Sequence, residues 1–165
     1  MTTVIYDVTR IVNYLARSKP SGIERVDINY LHGALSETNR TVIGVIEIHG
    51  KDGENHLISL SKSLTEKISQ HLYRKWTGAP YDETEFNENA KILSGKIKEE
   101  ISQTKINKEK RIDEKILKQN INGRMIYINS FFLNIKNGEK HKQLMRNIYG
   151  KKIYVIHDLI PIEFP

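Results

Sequence analysis

The sequence of 165 residues contains no cysteine, which excludes disulfide bonds and thiolate-bound metal. No apolar run approaches the length of a membrane span. The opening MTTVIYDVTR lacks the basic region, long apolar core and small-residue cleavage site of a signal peptide, so the expected location is the cytoplasm. Several catalytic and binding signatures are missing as well. There is no G-x-G-x-x-G dinucleotide fingerprint, no Walker G-K-[ST], no G-x-S-x-G elbow and no H-E-x-x-H. The six histidines, at 32, 49, 56, 71, 141 and 157, have no metal-ligand spacing, and no metal is expected. A phosphatase of the haloacid dehalogenase type would want a second aspartate two residues after Asp7, and Thr9 stands there. Aromatic residues are not interleaved with Lys and Arg as a single-strand binding platform requires, so nucleic acid is not an expected partner. Internal repeats and low-complexity tracts are absent too.

What remains is a chain of rather low apolar content (38%) and slightly high charge content (28%). Its length suits one domain with a real core rather than two. The net charge of +6 fits either an anionic partner or an uneven surface with no charged partner.

Residues 2–8 (TTVIYDV) predict a strand almost at the start, with Asp7 near its end. Residues 9–15 fit a continued strand or a short helix. Ser-Lys-Pro-Ser-Gly marks a loop over 16–22. A helix follows, with Ile23, Val26, Tyr30 and Ala34 or Leu35 at helical spacing. Ser21 is its N-cap, and Glu24 completes a capping-box pattern. Residues 41–48 (TVIGVIEI) predict the second strong strand, paired as a hairpin with a short one at 57–60. Residues 62–75 read as a helix with Leu64, Ile68, Leu72 and Tyr73 on one side, and 76–85 as a loop. From about 88 to 119 the chain is polar and helix-forming. Residues 91–118 hold nine Lys/Arg and five Asp/Glu, the character of an inserted solvated helix, with a membrane-surface role as the lesser reading. Residues 124–128 (RMIYI) form a third strong strand, 129–138 a loop, 139–149 a short basic helix and 153–156 a last strand of buried composition. Alternating strands and helices predict an α/β fold, a Rossmann-like parallel sheet with helices on both faces, as one domain over residues 1–165.

The carboxyl edge of such a sheet is where ligands bind. Two loops there carry candidate chemistry. Ser21 and Gly22 open a helix whose free N–H groups and dipole favour a phosphate or carboxylate, with Arg25 able to hold a phosphate or sugar hydroxyls. The same residues also fit an ordinary capped helix start. His157 and Asp158 follow the last strand directly. The histidine could act as acid or base or donate to a substrate, and the pair could equally satisfy a turn.

Two stretches together resemble a known family. YDVTRIVNYLARSKPSGIERVDINYLHGAL (6–35) carries D-V-[ST]-R and P-[ST]-G-I-[ED]-R-V, and YVIHDLIPIEFP (154–165) carries H-D-L-I-P-I-x-x-P. These resemble the N-terminal, acceptor-side domain of bacterial family 4 glycosyltransferases of the GT-B fold, which build capsules, O-antigens and other surface polysaccharides. INSFFL (128–133) is a weaker match to an Asn-containing loop of that family. The resemblance implies a retaining, metal-independent transferase that uses a nucleotide sugar as co-substrate and no other cofactor. The acceptor would be a lipid-linked or oligosaccharide molecule, and peripheral contact with the inner face of the cytoplasmic membrane is implied too. His157 would position the donor sugar and Asp158 shape the turn beside it. Gly22, with Ser21 and Arg25, would line the substrate side. The family's C-terminal donor domain and its E-x7-E pair do not follow Pro165, so the chain is expected to be a truncated N-terminal half, inactive alone. The rival reading is a non-enzymatic basic α/β module that binds a phosphorylated ligand or a partner protein.

Overall fold

The computed structural model describes residues 2–17, 19–50, 52–106, 124–130, 138–146 and 150–155. Strand β1 (Thr2–Asp7) leads through a short helix α1 (Thr9–Asn13) to α2 (Gly22–Ser36). A hairpin of β2 (Arg40–His49) and β3 (Asn55–Ser59) follows, then α3 (Lys62–Trp76) and α4 (Glu83–Ile106). Beyond these come β4 (Arg124–Asn129), α5 (Gly138–Arg146) and β5 (Lys151–Tyr154). The five strands make one sheet in the order β3-β2-β1-β4-β5. The β1–β2, β1–β4 and β4–β5 pairs are parallel and β2–β3 is antiparallel. The expected Rossmann-like α/β fold is therefore present, with the hairpin at one edge.

The period-2 alternation of the strands sorts their side chains between two cores. Val4, Tyr6, Val42 and Ile46 face one side, where they pack with Ile11 of α1, Ile28 and Leu31 of α2, Leu64, Ile68 and Leu72 of α3, and Phe86, Leu93 and Ile97 of α4. Ile5, Val45, Leu57, Met125 and Tyr127 face the other, against Leu144 and Met145 of α5. Among the described residues, four helices thus cover one face and one helix the other. Gly44 of β2 lets α3 approach the sheet closely. A Cβ there would lie 2.5 Å from Thr65 Oγ1.

Helix α2 buries a different face from the one its apolar spacing suggests. Val26 and Tyr30 are 37% and 53% exposed, whereas Glu24, Asp27, Ile28 and Leu31 are buried. Polar partners rotate the helix. Tyr6 OH donates to the Asp27 carbonyl at 3.0 Å, and Arg10 Nε lies 3.7 Å from Asp27 Oδ2. Glu24 is drawn inward by its capping duty.

Helix α4 starts at Glu83, within the expected loop, because Asp82 accepts from Glu85 N at 2.8 Å and caps it. It is no solvated insertion over its described length. Phe86, Ala90, Leu93 and Ile97 join the main core, each large side chain contributing about 1.5–3 kcal/mol of burial. Glu100 reaches back to the start of α3, accepting from Ser61 N at 2.8 Å and Ser61 Oγ at 2.6 Å. Residues 107–119 of the expected helical segment lie outside the described residues.

The last strand departs most from expectation. All four residues of β5 are exposed, because β5 pairs on one side only, with β4, at the edge of the described sheet. The apolar run 153–156 has the composition of a buried strand, yet tertiary position decides burial. Val155 N still donates to the Asn129 carbonyl at 2.9 Å, so pairing with β4 continues one residue further. Among the described residues, no helix is long and apolar enough to cross a membrane.

Candidate functional site

Three strands end in polar residues that share one face at the carboxyl edge of the sheet: Asp7 on β1, Glu47 near the end of β2 and Asn129 on β4. The register brings them together. Tyr6 lies beside both Gly44 and Ile128, and Asn129 lies beside Tyr154 of β5. Helix α5 crosses this face and adds His141.

Asp7 is the centre of the cluster and is buried. Its Oδ1 accepts from Thr9 N at 2.9 Å and Thr9 Oγ1 at 2.6 Å. Its Oδ2 accepts from Tyr127 OH at 2.8 Å and Asn129 Nδ2 at 2.8 Å. Thr9 Oγ1 in turn accepts from Glu47 N at 2.8 Å, so one carboxylate ties β1, β2, β4 and the start of α1 together. Burial pushes the Asp7 carboxyl above the usual carboxylate range, and the donors from Thr9 and Tyr127 pull the other way. Burial, then the charge of Asp7, raises the Tyr127 hydroxyl, which stays a protonated donor. With four donors engaged, Asp7 acts as a tie between strands rather than as a metal ligand or base.

A second chain of contacts runs outward from it. Glu47 Oε1 accepts from Asn55 Nδ2 at 2.6 Å, and Glu47 Oε2 lies 3.0 Å from His141 Nδ1. His141 Nε2 lies 3.3 Å from Tyr154 OH. The carboxylate thus orients an imidazole whose other nitrogen meets a phenol at the rim. Burial and the charges of Glu47 and Asp7 raise the Tyr154 hydroxyl. Among the described residues, no group of His, Asp and Glu is placed to hold a metal ion.

On the opposite face of the same edge stands the start of α2. The predicted capping box is formed. Ser21 Oγ accepts from Glu24 N at 3.4 Å, and Ser21 N donates to Glu24 Oε2 at 2.6 Å. Glu24 Oε1 accepts from Arg17. The Arg17 guanidinium also stacks on Tyr14, 4.9 Å from the ring centroid. A buried carboxylate therefore already occupies this helix N-terminus, which makes it a poor place for a second anion. Gly22 is exposed, has no left-handed backbone angle, and would place a Cβ in open space. Neither backbone geometry nor packing calls for a glycine there. Arg25, one turn on, is also exposed.

Of the residues predicted from sequence, Ser21, Gly22 and Arg25 are thus assembled at the carboxyl edge. His157 and Asp158 lie outside the described residues. The cluster of Glu47, Tyr127, Asn129, His141 and Tyr154 was not anticipated, because it draws five residues from four elements far apart along the chain. The available signal was that each inner parallel strand carries a polar residue at or near its carboxyl end. Comparison with family models, with curated proteins and with solved structures finds no match to this chain.

Proposed function

We propose that this chain supplies the acceptor-side domain of a glycosyltransferase that passes sugar from a nucleotide sugar to a lipid-linked or oligosaccharide acceptor. The observation that carries the reading is the start of α2. Gly22 is bare and open where neither fold nor packing needs a glycine, and Arg25 stands exposed beside it. Glu24 already holds a negative charge at the helix terminus, so the edge suits hydroxyl groups better than phosphate. Arg25 and exposed backbone N–H groups would orient sugar hydroxyls, and the missing side chain at 22 would let the ring approach. In this reading His157 reaches toward the donor sugar, and the nucleotide is held by a second domain.

The test uses the whole reading frame to which these residues belong. Transfer from radiolabelled nucleotide sugars to a membrane lipid extract is measured for the parent protein, Gly22→Val and His157→Ala. A Cβ at position 22 meets no atom within 4 Å, so Gly22→Val should keep the fold while its KM for acceptor rises about tenfold or more. His157→Ala should lower kcat. Absence of transfer from any nucleotide sugar, or unchanged kinetics in both variants, would overturn the reading.

A further inference from the structure

Helices α3 and α4 line a cleft of about 710 Å³ that shares no lining residue with the carboxyl-edge cluster or with the start of α2. Its α3 wall carries Lys67, His71 and Arg74 at helical spacing, and Lys96 faces them from α4. Tyr81, Phe86, Ile92 and Leu93 give it an apolar lining. Four Lys and Arg side chains line it against two acidic ones, Asp82 and Glu85.

The decisive group is Lys75, which lines the same cleft and is only 6% exposed. Its Nζ has no hydrogen-bond acceptor among the described residues. It lies 3.5 Å from the Phe86 ring centroid and 4.3 Å from that of Tyr81. Desolvated aromatic faces stabilise an ammonium by about 2 kcal/mol, while burying one costs several kcal/mol. The rings therefore offset only part of the cost, and the ammonium retains N–H donors with nothing to donate to. Of the two rings, Tyr81 is the movable one. It is 47% exposed and sits in the α3–α4 connection, whereas Phe86 is clamped by the stacked His71 ring at 4.1 Å. A ligand that displaces Tyr81 would reach the ammonium.

We propose that the α3–α4 cleft binds an amphipathic phosphomonoester. Its dianionic phosphate takes Lys75 and Arg74, its apolar part lies along Ile92 and Leu93, and Lys67 and Lys96 add positive charge further along the cleft. A dianion matches the local excess of positive charge better than a carboxylate does, and the Arg74 guanidinium suits two phosphate oxygens at once. The site goes beyond the proposed transferase reaction and does not depend on it.

Isothermal titration with phenyl phosphate and co-sedimentation with vesicles containing phosphatidic acid test the site, each at physiological salt. The parent chain is compared with Arg74→Gln/Lys96→Gln, two exposed positions whose loss leaves the core intact, and with Lys75→Met. Saturable binding of either probe that weakens at least tenfold in the double variant supports the proposal. Phenyl phosphate then indicates a soluble ligand, and vesicles a lipid headgroup. No saturable binding of either probe, or binding that survives the double variant, overturns it. Lys75→Met adds a second reading through thermal stability. It should raise the midpoint in buffer, by removing an uncompensated charge, and abolish the rise that phenyl phosphate gives the parent. A lower midpoint in buffer would show that the aromatic faces already satisfy the ammonium and would overturn the proposal.

Discussion

Asp7 offers the sharpest test of how the sheet is held. Asp7→Asn keeps the shape of the side chain and replaces one oxygen by an NH2 group. Whichever way the amide turns, a donor is left facing a donor. With the amide toward β4, the new NH2 meets Asn129 Nδ2 and Tyr127 OH, which now donate to Oδ2 at 2.8 Å each. The Tyr127 hydroxyl could turn to accept, but it already accepts from Asn129 at 3.1 Å. At least one buried donor is then orphaned and one charge-assisted bond lost. Charge-assisted bonds are worth about 1.5–3 kcal/mol and an orphaned buried donor costs about 1–3 kcal/mol, so the loss should be roughly 3–5 kcal/mol. Tyr127→Phe removes the bond donated to Asp7 and the longer one accepted from Asn129, and leaves Asn129 still donating to Asp7, so it should cost about 2 kcal/mol. The double variant should lose less than the sum of the two by about 1–2 kcal/mol, because the two groups share a bond. Urea unfolding at pH 7, followed by the fluorescence of the buried Trp76, measures all three. A loss below about 0.5 kcal/mol for Asp7→Asn, or strictly additive losses, would refute the claim that this carboxylate is a shared tie between strands.

Two further outcomes follow from close packing and from burial. Gly44→Ala drives a methyl group into Thr65, so it should cost about 1–3 kcal/mol, and adding Thr65→Ala should recover part of that loss. Denaturant midpoints of the two variants read this directly, and a neutral Gly44→Ala would mean that α3 moves away without cost. Burial holds the His71 imidazole below its ordinary value of 6.5, and the Lys75 charge adds to this. The folded chain therefore resists a proton that the unfolded chain accepts. Its contribution is whole above pH 6.5 and falls as pH drops below that value. His71→Gln, which can still donate to the Leu15 carbonyl, should flatten the loss of stability as pH falls below 6.5. Equal slopes for parent and variant, from urea midpoints at several pH values, would dismiss that role.

Much of the architecture was legible in the residues. The strand cores VIYDV, TVIGVIEI and RMIYI announce themselves by β-branched and aromatic content. The Ser21–Glu24 spacing announces the capping box, which forms as expected. Strand alternation with helices implied a parallel sheet, and three of its four strand pairs are parallel. These features are local, so a window of a few residues carries them. The face of α2, the role of α4 and the exposure of β5 were not legible. Val26 and Tyr30 sit at apolar spacing, yet Asp27 and Glu24 turn inward because Arg10, Tyr6, Ser21 and Arg17 wait for them. The polar composition around α4 hides a single stripe of Phe86, Ala90, Leu93 and Ile97 that completes the core.

By itself, then, the sequence determined most of the elements, the fold class and the capping box at the start of α2, because each depends on neighbours close along the chain. Only tertiary structure decided which charges are buried and which are paired. Asp7 meets Asn129 across 122 residues, and His141 meets Glu47 across 94. No local pattern encodes such meetings, since they depend on strand register and on the placement of α5. The same holds for Lys75. In the sequence it is one lysine among many in a basic chain. In the fold it is a buried ammonium between two aromatic rings, beside a cleft that carries more positive than negative side chains.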